Sequence, residues 1–193
     1  MLHGVACSVT LIDKKPSQIE LSSRFDTKVY FGDGLRVDLL RRAGGEEARL
    51  IIFCMDDASV DAQAMKPIVE AFPQAKILMR VFDRRQLLAL DGSGVDGVIR
   101  EVFESSIAMG LTALRHLDVD PSEMDDVEAT LRHLDETRLQ VQLDEGDLSA
   151  GMDHRFKPGG GREADSILEK LRRKRQAAKA AREESEAMGL QAD

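Results

Sequence analysis

Over residues 9–117, short apolar runs alternate with stretches of helical periodicity. The runs are rich in β-branched residues and apolar without interruption, which is typical of parallel strands covered by helices on both faces. They occupy residues 9–13, 28–31, 49–54, 76–81 and 97–100. This alternation predicts an α/β fold built on a doubly wound parallel sheet.

The helical stretches between these runs have recognisable ends. Pro16 is typical of a helix start, whereas Gly44 and Pro73 are typical of the residues that follow a helix. In segment 59–71, apolar residues recur every three or four positions. That spacing indicates a helix face packed against the core.

Beyond residue 117 the apolar runs give way to charged residues. Acidic side chains crowd segment 118–161, which we interpret as a linker where Val127 and Leu131 allow a short helix. Segment 162–189 predicts a charged, alanine-rich surface helix. The predicted organisation is a domain over residues 1–117, then an acidic linker, then a helical tail.

The charge, the cysteines and the apolar runs of the chain limit the partners and sites that it can have. The net charge of -8 excludes nucleic acid as a general partner, because phosphate backbones require a basic face. Cys7 and Cys54 have apolar neighbours and no ligand spacing, so we expect buried, reduced thiols and no metal. No apolar run is long enough to cross a bilayer, which predicts a cytoplasmic protein without direct membrane insertion.

Asp13 ends the first run, and Lys14 follows it directly. In doubly wound nucleotide-binding sheets, an acid at the carboxyl end of the second strand accepts the ribose hydroxyls. An acid in this place also serves as a helix cap, here for the helix that Pro16 begins. The spacing leaves both interpretations open.

A glycine-rich turn, Gly32-Asp33-Gly34, follows the next strand. Turn geometry alone explains its two glycines. Asp13 and Asp33, however, end successive strands and should therefore lie side by side at one edge of the sheet. Two neighbouring acids suit a ribose and an adenine amino group.

Met55, Asp56 and Asp57 follow the most apolar strand, where ligand contacts are expected in this fold. One of the two acids is equally suited to cap the next helix, while the other lines the cleft. Met55 and Asp56 complete the predicted nucleotide contacts.

Arg80 interrupts an otherwise apolar strand and must have an anionic partner or a route to solvent. It either forms a salt bridge with Asp83 or Glu101, or binds a ligand carboxylate or phosphate.

Two elements of a complete dinucleotide site are missing from the sequence. No GxGxxG phosphate turn precedes Asp13, and the strand that carries it is absent too. In the usual strand order this strand lies in the middle of the sheet, so its absence predicts two unpaired edges and weakened nucleotide binding. Nucleophile elbows and His or Cys clusters are also lacking, so we expect ligand sensing and no catalytic residue.

The motifs VTLID, KVYFGDGLRVDLLRRAG, LIIFCMDD, KILMRVFD and IREVFESSIAMGLTAL resemble, in order, the regulatory RCK (TrkA-N) domain of potassium channels and transporters. They are most similar to Kef-type glutathione-regulated potassium efflux antiporters, over about residues 1–117. The resemblance implies a Rossmann-like fold, NAD(H) or AMP as regulatory ligand, a homodimer, and a membrane potassium transporter as partner. Gating of ion flux, without turnover of the ligand, is the implied function.

The resemblance also implies roles for individual residues. Arg80 matches the arginine that binds a glutathione-like ligand in Kef-type proteins. The segment containing Glu101, Phe103 and Glu104 matches the start of the crossover helix used for dimer contacts. Phe82 stands where another arginine is common, which departs from the family pattern.

Two other classes of function remain open. One is a fragment of a Rossmann-class NAD(P)-dependent oxidoreductase, which needs a proton donor beside the nicotinamide. The single tyrosine, Tyr30, lies within a strand and does not suit that role. The other class is a ligand-free interaction protein that binds partners through its charged tail.

Overall fold

The computed structural model describes residues 7–16, 28–151 and 173. The chain divides into two compact units, Met1–Ser106 and Ile107–Asp193. In the first unit the described strands are β1 (Thr10–Asp13), β2 (Lys28–Phe31), β3 (Leu50–Phe53), β4 (Lys76–Val81) and β5 (Gly97–Arg100). The described helices of the chain are α1 (Val37–Arg42), α2 (Ala62–Ala71), α3 (Arg84–Ala89), α4 (Glu101–His116) and α5 (Pro121–Glu145).

The strands form two parallel ladders. β1 pairs with β2, with Thr10 opposite Lys28. β4 lies between β3 and β5, with Leu50 opposite Lys76 and Leu78 opposite Gly97. All five predicted strands are confirmed, as is the Rossmann-like α/β class with parallel strands and flanking helices. Within the described residues, no ladder joins β1 to β3.

One face of the three-stranded ladder carries the hydrophobic core. Alternate residues of β3 and β4 are buried on this face, where they meet α2 and α3. The strand residues are Ile51, Phe53, Ile77, Met79 and Val81, and the residues from the helices and loops are Val60, Met65, Ile68, Phe72 and Leu90. Ile12, Leu35 and Val37 pack against the same cluster, so the β1–β2 ladder and the β3–β4–β5 ladder share one core.

The described residues leave the opposite face of the same ladder partly exposed to solvent. Leu50 and Ile52 of β3 and Ile99 of β5 point away from the core and are exposed. We predicted helices on both faces from the continuous apolar runs. Among the described residues this holds for one face only, because α2 and α3 both lie on the core side.

Cys54 is exposed, which contradicts the predicted burial of both cysteines. It follows Phe53, so the alternation of side chains along a strand turns it to the uncovered face. Cys7 is exposed as well, ahead of β1. The apolar neighbours of a cysteine in the sequence therefore did not indicate its burial.

Helix α5 is much longer than the short helix we predicted within the acidic segment. Asp120 caps its start by accepting a hydrogen bond from the backbone N–H of Ser122 at 2.9 Å, and Gly146, in the left-handed conformation, follows its end. Pairs one turn apart, such as Arg132 with Glu128, offset part of the acidic charge. The surface helix predicted over 162–189 lies outside the described residues except for Arg173.

Near the end of α5, Gln142 is buried and donates hydrogen bonds to the carbonyls of Leu148 and Ala150, at 2.5 and 3.3 Å. The side chain thereby folds the segment after the helix back onto it. None of the described helices combines the length and apolarity needed to span a membrane. The domain limits at residues 117 and 161 stay predictions.

Candidate functional site

The carboxyl ends of β1, β2 and β3 lie at one edge of the first unit. The backbone N–H of Gly32 donates a hydrogen bond to the carbonyl of Asp13 at 3.0 Å, which joins the ends of β1 and β2. A Cβ atom placed on Gly34 would lie 4.0 Å from Cε of Met55, which brings the turn after β2 to the loop after β3. The predicted nucleotide residues of three separate segments are therefore brought together.

Asp13 organises the turn that follows β1. Its Oδ1 accepts a hydrogen bond from the backbone N–H of Lys15 at 2.7 Å, the two-residue spacing of an Asx turn. The carboxylate is half-buried, and Lys14 beside it is exposed. The capping geometry and the ribose-binding interpretation are compatible, because a carboxylate has two acceptor oxygens and Oδ1 alone makes this turn.

The turn after β2 requires glycine at its first position. Gly32 has φ of 149°, and a Cβ atom there would lie 2.7 Å from Cδ2 of Leu39. Asp33 is exposed, and its Oδ1 accepts a hydrogen bond from the N–H of Leu35 at 3.0 Å. The side chain thus shapes the loop and borders the same edge as Asp13.

Acidic side chains in the loop after β3 hydrogen-bond to the loop itself. We expected Asp56 or Asp57 to be the N-cap of the next helix, and neither is. Asp61 caps α2 by accepting a hydrogen bond from the N–H of Ala64 at 2.9 Å. Asp57 instead accepts hydrogen bonds from Ser59, at 3.0 Å from N and 2.6 Å from Oγ. These bonds, the one from the Ser59 hydroxyl foremost, lower the pKa of Asp57. The helix begins later than the sequence suggested because Val60, buried in the core, ends the loop.

Arg80 connects three segments of the first unit. One guanidinium nitrogen donates to Glu101 at the start of α4. The other donates to the carboxylate of Asp56 and to the carbonyl of Cys54, the latter at 2.7 Å. Of the two salt-bridge partners suggested by the sequence, Glu101 is present, whereas Asp83 caps α3 by accepting from the N–H of Gln86 at 3.0 Å.

Arg80 affects the ionisation of Asp56 at this edge. Its hydrogen bond and its positive charge lower the pKa of Asp56, and Lys15 lowers it further. Asp56 therefore stays ionised below the pH at which an ordinary aspartate takes up its proton. Arg80 itself is 29% exposed as a side chain, and the carboxylates of Asp56 and Glu101 both bind its guanidinium.

The predicted crossover residues lie in the first turn of α4. Phe103 is half-buried, and the guanidinium carbon of Arg100 lies 4.3 Å from the centre of its ring, a cation–π contact. Glu101 binds Arg80, and Glu104, three residues further on in the same turn, is half-buried. Their dimer role stays a prediction.

Gln86 holds the site in place and was missed from the sequence. Its side chain is buried, donates to the carbonyl of Asp57 at 2.8 Å, and accepts from the N–H of Phe82 at 2.8 Å. One side chain thereby joins the loop after β3 to the end of β4. The only signal in the sequence is a polar residue on the apolar face of α3, between Asp83 and Leu90.

The TrkA-N domain family matches residues 1–101. The chain belongs to this family. Among curated relatives, the TrkA-N chain is 34% identical over 143 residues to a glutathione-regulated potassium-efflux system protein of Haemophilus influenzae, covering 74% of this chain and 23% of that protein. It is 33% identical over 123 residues to the glutathione-regulated potassium-efflux system protein KefC of Klebsiella pneumoniae strain 342, covering 64% and 20%.

Solved structures agree with the TrkA-N fold. The Kef CTD of Shewanella denitrificans in its AMP-bound form has a TM-score of 0.56 at 24% identity, covering 72% of this chain and 99% of that one. The TrkA-N domain of the inner membrane protein ybaL from Escherichia coli has a TM-score of 0.51 at 13% identity, covering 56% and 80%. The chain spans less than a quarter of the length of the two curated relatives above, 23% and 20%.

Proposed function

We propose that this TrkA-N chain is a cytoplasmic nucleotide-sensing regulatory domain of a potassium-efflux system of the Kef or Trk type. It binds AMP or NAD(H) without turning it over and passes the state of that site to a membrane transporter. Family membership, the potassium-efflux relatives and the AMP-bound Kef structure support this proposal.

The observation that carries the proposal is the convergence of strand-end acids. The turn of Asp13, the glycine turn around Asp33 and the Met55–Asp56 loop meet at one edge of a parallel sheet, where ligands bind in doubly wound folds. Asp13 accepts the ribose hydroxyls, Lys14 and Gly32 border the phosphate side, and Met55 supplies an apolar contact. An acid at the ribose favours a nucleotide without a 2′-phosphate.

Arg80 supplies the route by which the site acts on the rest of the protein. It joins the Asp56 loop, which borders the nucleotide, to Glu101 in the first turn of α4. A ligand carboxylate that takes Arg80 must displace one of these two carboxylates, and displacement of Glu101 frees the start of α4. With Phe103 and Glu104, this turn would then change a homodimer contact to which the transporter responds.

Isothermal titration of the 193-residue chain with AMP, NAD and NADH tests the ligand. We expect binding of at least one of them, weakened about tenfold or more by Asp13→Asn, because two charge-assisted hydrogen bonds of about 1.5–3 kcal/mol become weaker neutral ones. Asp144→Asn, an exposed acid of α5, is the matched control and should bind like the parent. Equal binding by both variants, or none by a folded parent, would refute the assignment.

A further inference from the structure

Two connections run from the loop after β3 to the first turn of α4. The first, which we call the charged link, consists of Asp56, Arg80 and Glu101, joined through the guanidinium of Arg80. The second, which we call the amide link, begins one residue later in the same loop. Its members are Asp57, Gln86, Phe82 and Val102. Because both connections join the same two segments, a displacement of the loop reaches α4 along either of them.

The amide link is an unbroken series of three hydrogen bonds. Nε2 of Gln86 donates to the carbonyl of Asp57 at 2.8 Å, and Oε1 of Gln86 accepts from the N–H of Phe82 at 2.8 Å. The carbonyl of Phe82 in turn accepts from the N–H of Val102, in the first turn of α4, at 3.1 Å. One side chain and one backbone residue therefore separate the loop from the helix.

Gln86 is held in a single orientation. Its backbone N–H donates to Oδ1 of Asp83 at 3.0 Å, and the residue is only 6% exposed. A half-turn of the side-chain amide would place its NH2 group against the N–H of Phe82 and its oxygen against the carbonyl of Asp57. Neither of those pairs forms a hydrogen bond, because each brings together two donors or two acceptors. The amide therefore fixes the distance between the loop and the end of β4.

The two links differ in their sensitivity to salt. The side chains of Asp56 and Glu101 are 82% and 45% exposed, so dissolved ions screen their attraction to Arg80. The screening length falls from about 10 Å at 0.1 M salt to about 3 Å at 1 M. Gln86 is neutral and buried, and its hydrogen bonds are not screened in this way. The amide link therefore persists under conditions that weaken the charged link.

A ligand that takes Arg80 has the same effect as salt, because it displaces Asp56 or Glu101. If the charged link were the sole connection, the loop and α4 would be uncoupled as soon as the ligand arrived. We propose that Gln86 is the positioning residue that keeps the loop after β3 coupled to the first turn of α4 when salt or a ligand weakens the charged link. This inference rests on the proposed function, in which the loop borders the nucleotide and α4 carries the response.

A double-mutant cycle followed by amide hydrogen exchange in NMR spectra tests this role. Ser59→Ala disturbs the loop, because it removes the 2.6 Å hydrogen bond from the Ser59 hydroxyl to Asp57. We expect it to speed exchange of the Val102 amide about fivefold in the parent, in both about 0.1 M and about 1 M KCl. The same increase is expected in an Arg80→Gln background. The amide of Ile77, which is bonded elsewhere, is the internal reference and should not change.

The Gln86→Leu background separates coupling from stability. There, Ser59→Ala should speed exchange of the Val102 amide by less than about twofold, because the connection is already broken. If Gln86 only stabilised the fold, the effect of Ser59→Ala would be additive and would appear in full. Gln74→Leu, which removes a hydrogen bond to the carbonyl of Gly45, is the matched control and should leave the full effect. Gln86→Met, unbranched like glutamine and unable to donate, replaces Gln86→Leu if that variant does not fold.

Each outcome decides the proposal. An effect of Ser59→Ala on Val102 that is present in the parent, Arg80→Gln and Gln74→Leu backgrounds and absent without Gln86 supports it. An undiminished effect without Gln86 overturns it, as does the absence of any effect in the parent. An effect that disappears at high salt or in Arg80→Gln assigns the coupling to the charged link and also overturns it. No nucleotide enters the experiment, so a folded chain that binds no AMP, NAD or NADH fails the proposed function alone.

Discussion

Replacement of Gln86 by leucine tests whether one buried amide holds the candidate site together. The substitution keeps the side-chain volume nearly constant and removes both hydrogen bonds. It leaves the carbonyl of Asp57 and the N–H of Phe82 without their partner in a partly buried position. The change therefore tests the clamp, the pair of hydrogen bonds by which Gln86 joins the loop after β3 to the end of β4.

The expected loss of stability follows from those two groups. A buried polar group without a partner costs about 1–3 kcal/mol, and leucine regains part of that through its greater apolarity. We expect a net loss of about 2–3 kcal/mol in the free energy of unfolding of the first unit. For a unit of this size, that lowers the melting temperature by roughly 10–20 °C.

Urea and thermal unfolding, followed by circular dichroism, measure this loss. Gln74→Leu is the matched control: Gln74 donates a single hydrogen bond, 2.8 Å to the carbonyl of Gly45, away from the site. It should cost about 1 kcal/mol. The clamp is refuted if Gln86→Leu costs no more than Gln74→Leu, or if the amide of Phe82 exchanges no faster in the variant.

Three further outcomes are expected. Gly32→Ala should destabilise the chain by about 1–3 kcal/mol in urea unfolding, because alanine is strained at φ of 149° and its Cβ would meet Leu39, whereas Gly110→Ala, in open space on α4, should be neutral or slightly stabilising. Asp96 accepts from Lys76 and from the N–H of Ile77, which lowers its pKa, so its contribution is present above the ordinary aspartate pKa and is lost as pH falls through the lowered one. Asp96→Asn should therefore be less stable than the parent at pH 7 and equal to it in strong acid, and a constant difference would contradict this. Arg80→Gln should raise the pKa of Asp56 toward its ordinary value in an NMR titration, and an unchanged pKa would show that Arg80 does not set it.

The strands could be predicted from the sequence because each is a short apolar run with clear ends. β2, β4 and β5 have the predicted bounds, and β1 and β3 differ at their ends by a single residue. The positions of the strand-end acids followed from the same pattern, since a strand that ends at Asp13 must present its acid at the carboxyl edge. The pattern of apolar residues within one segment was therefore sufficient to predict features that depend on a single strand.

Contacts between residues that are far apart in the sequence could not be predicted in the same way. The clamp by Gln86 depends on a backbone carbonyl 29 positions away, which carries no sequence signal. Asp56 and Asp57 are as suitable for capping a helix as Asp61 is. Asp61 is the N-cap of α2 because burial of Val60 sets where the helix begins. Exposure of Cys54 depended on which face of the three-stranded ladder lacks a helix among the described residues.

Arg80 shows how these two kinds of information combine. The sequence required an anionic partner for a cation in an apolar strand, but it offered a ligand and a salt bridge as alternatives. The structure makes them competitors, since Asp56 and Glu101 both bind the guanidinium at the edge where a ligand would arrive. A ligand carboxylate that bound Arg80 would have to break one of those ion pairs, so it would bind more weakly than it would bind a free arginine. In return, its binding energy would be coupled to the start of α4 through Glu101, and such coupling is what a sensor requires.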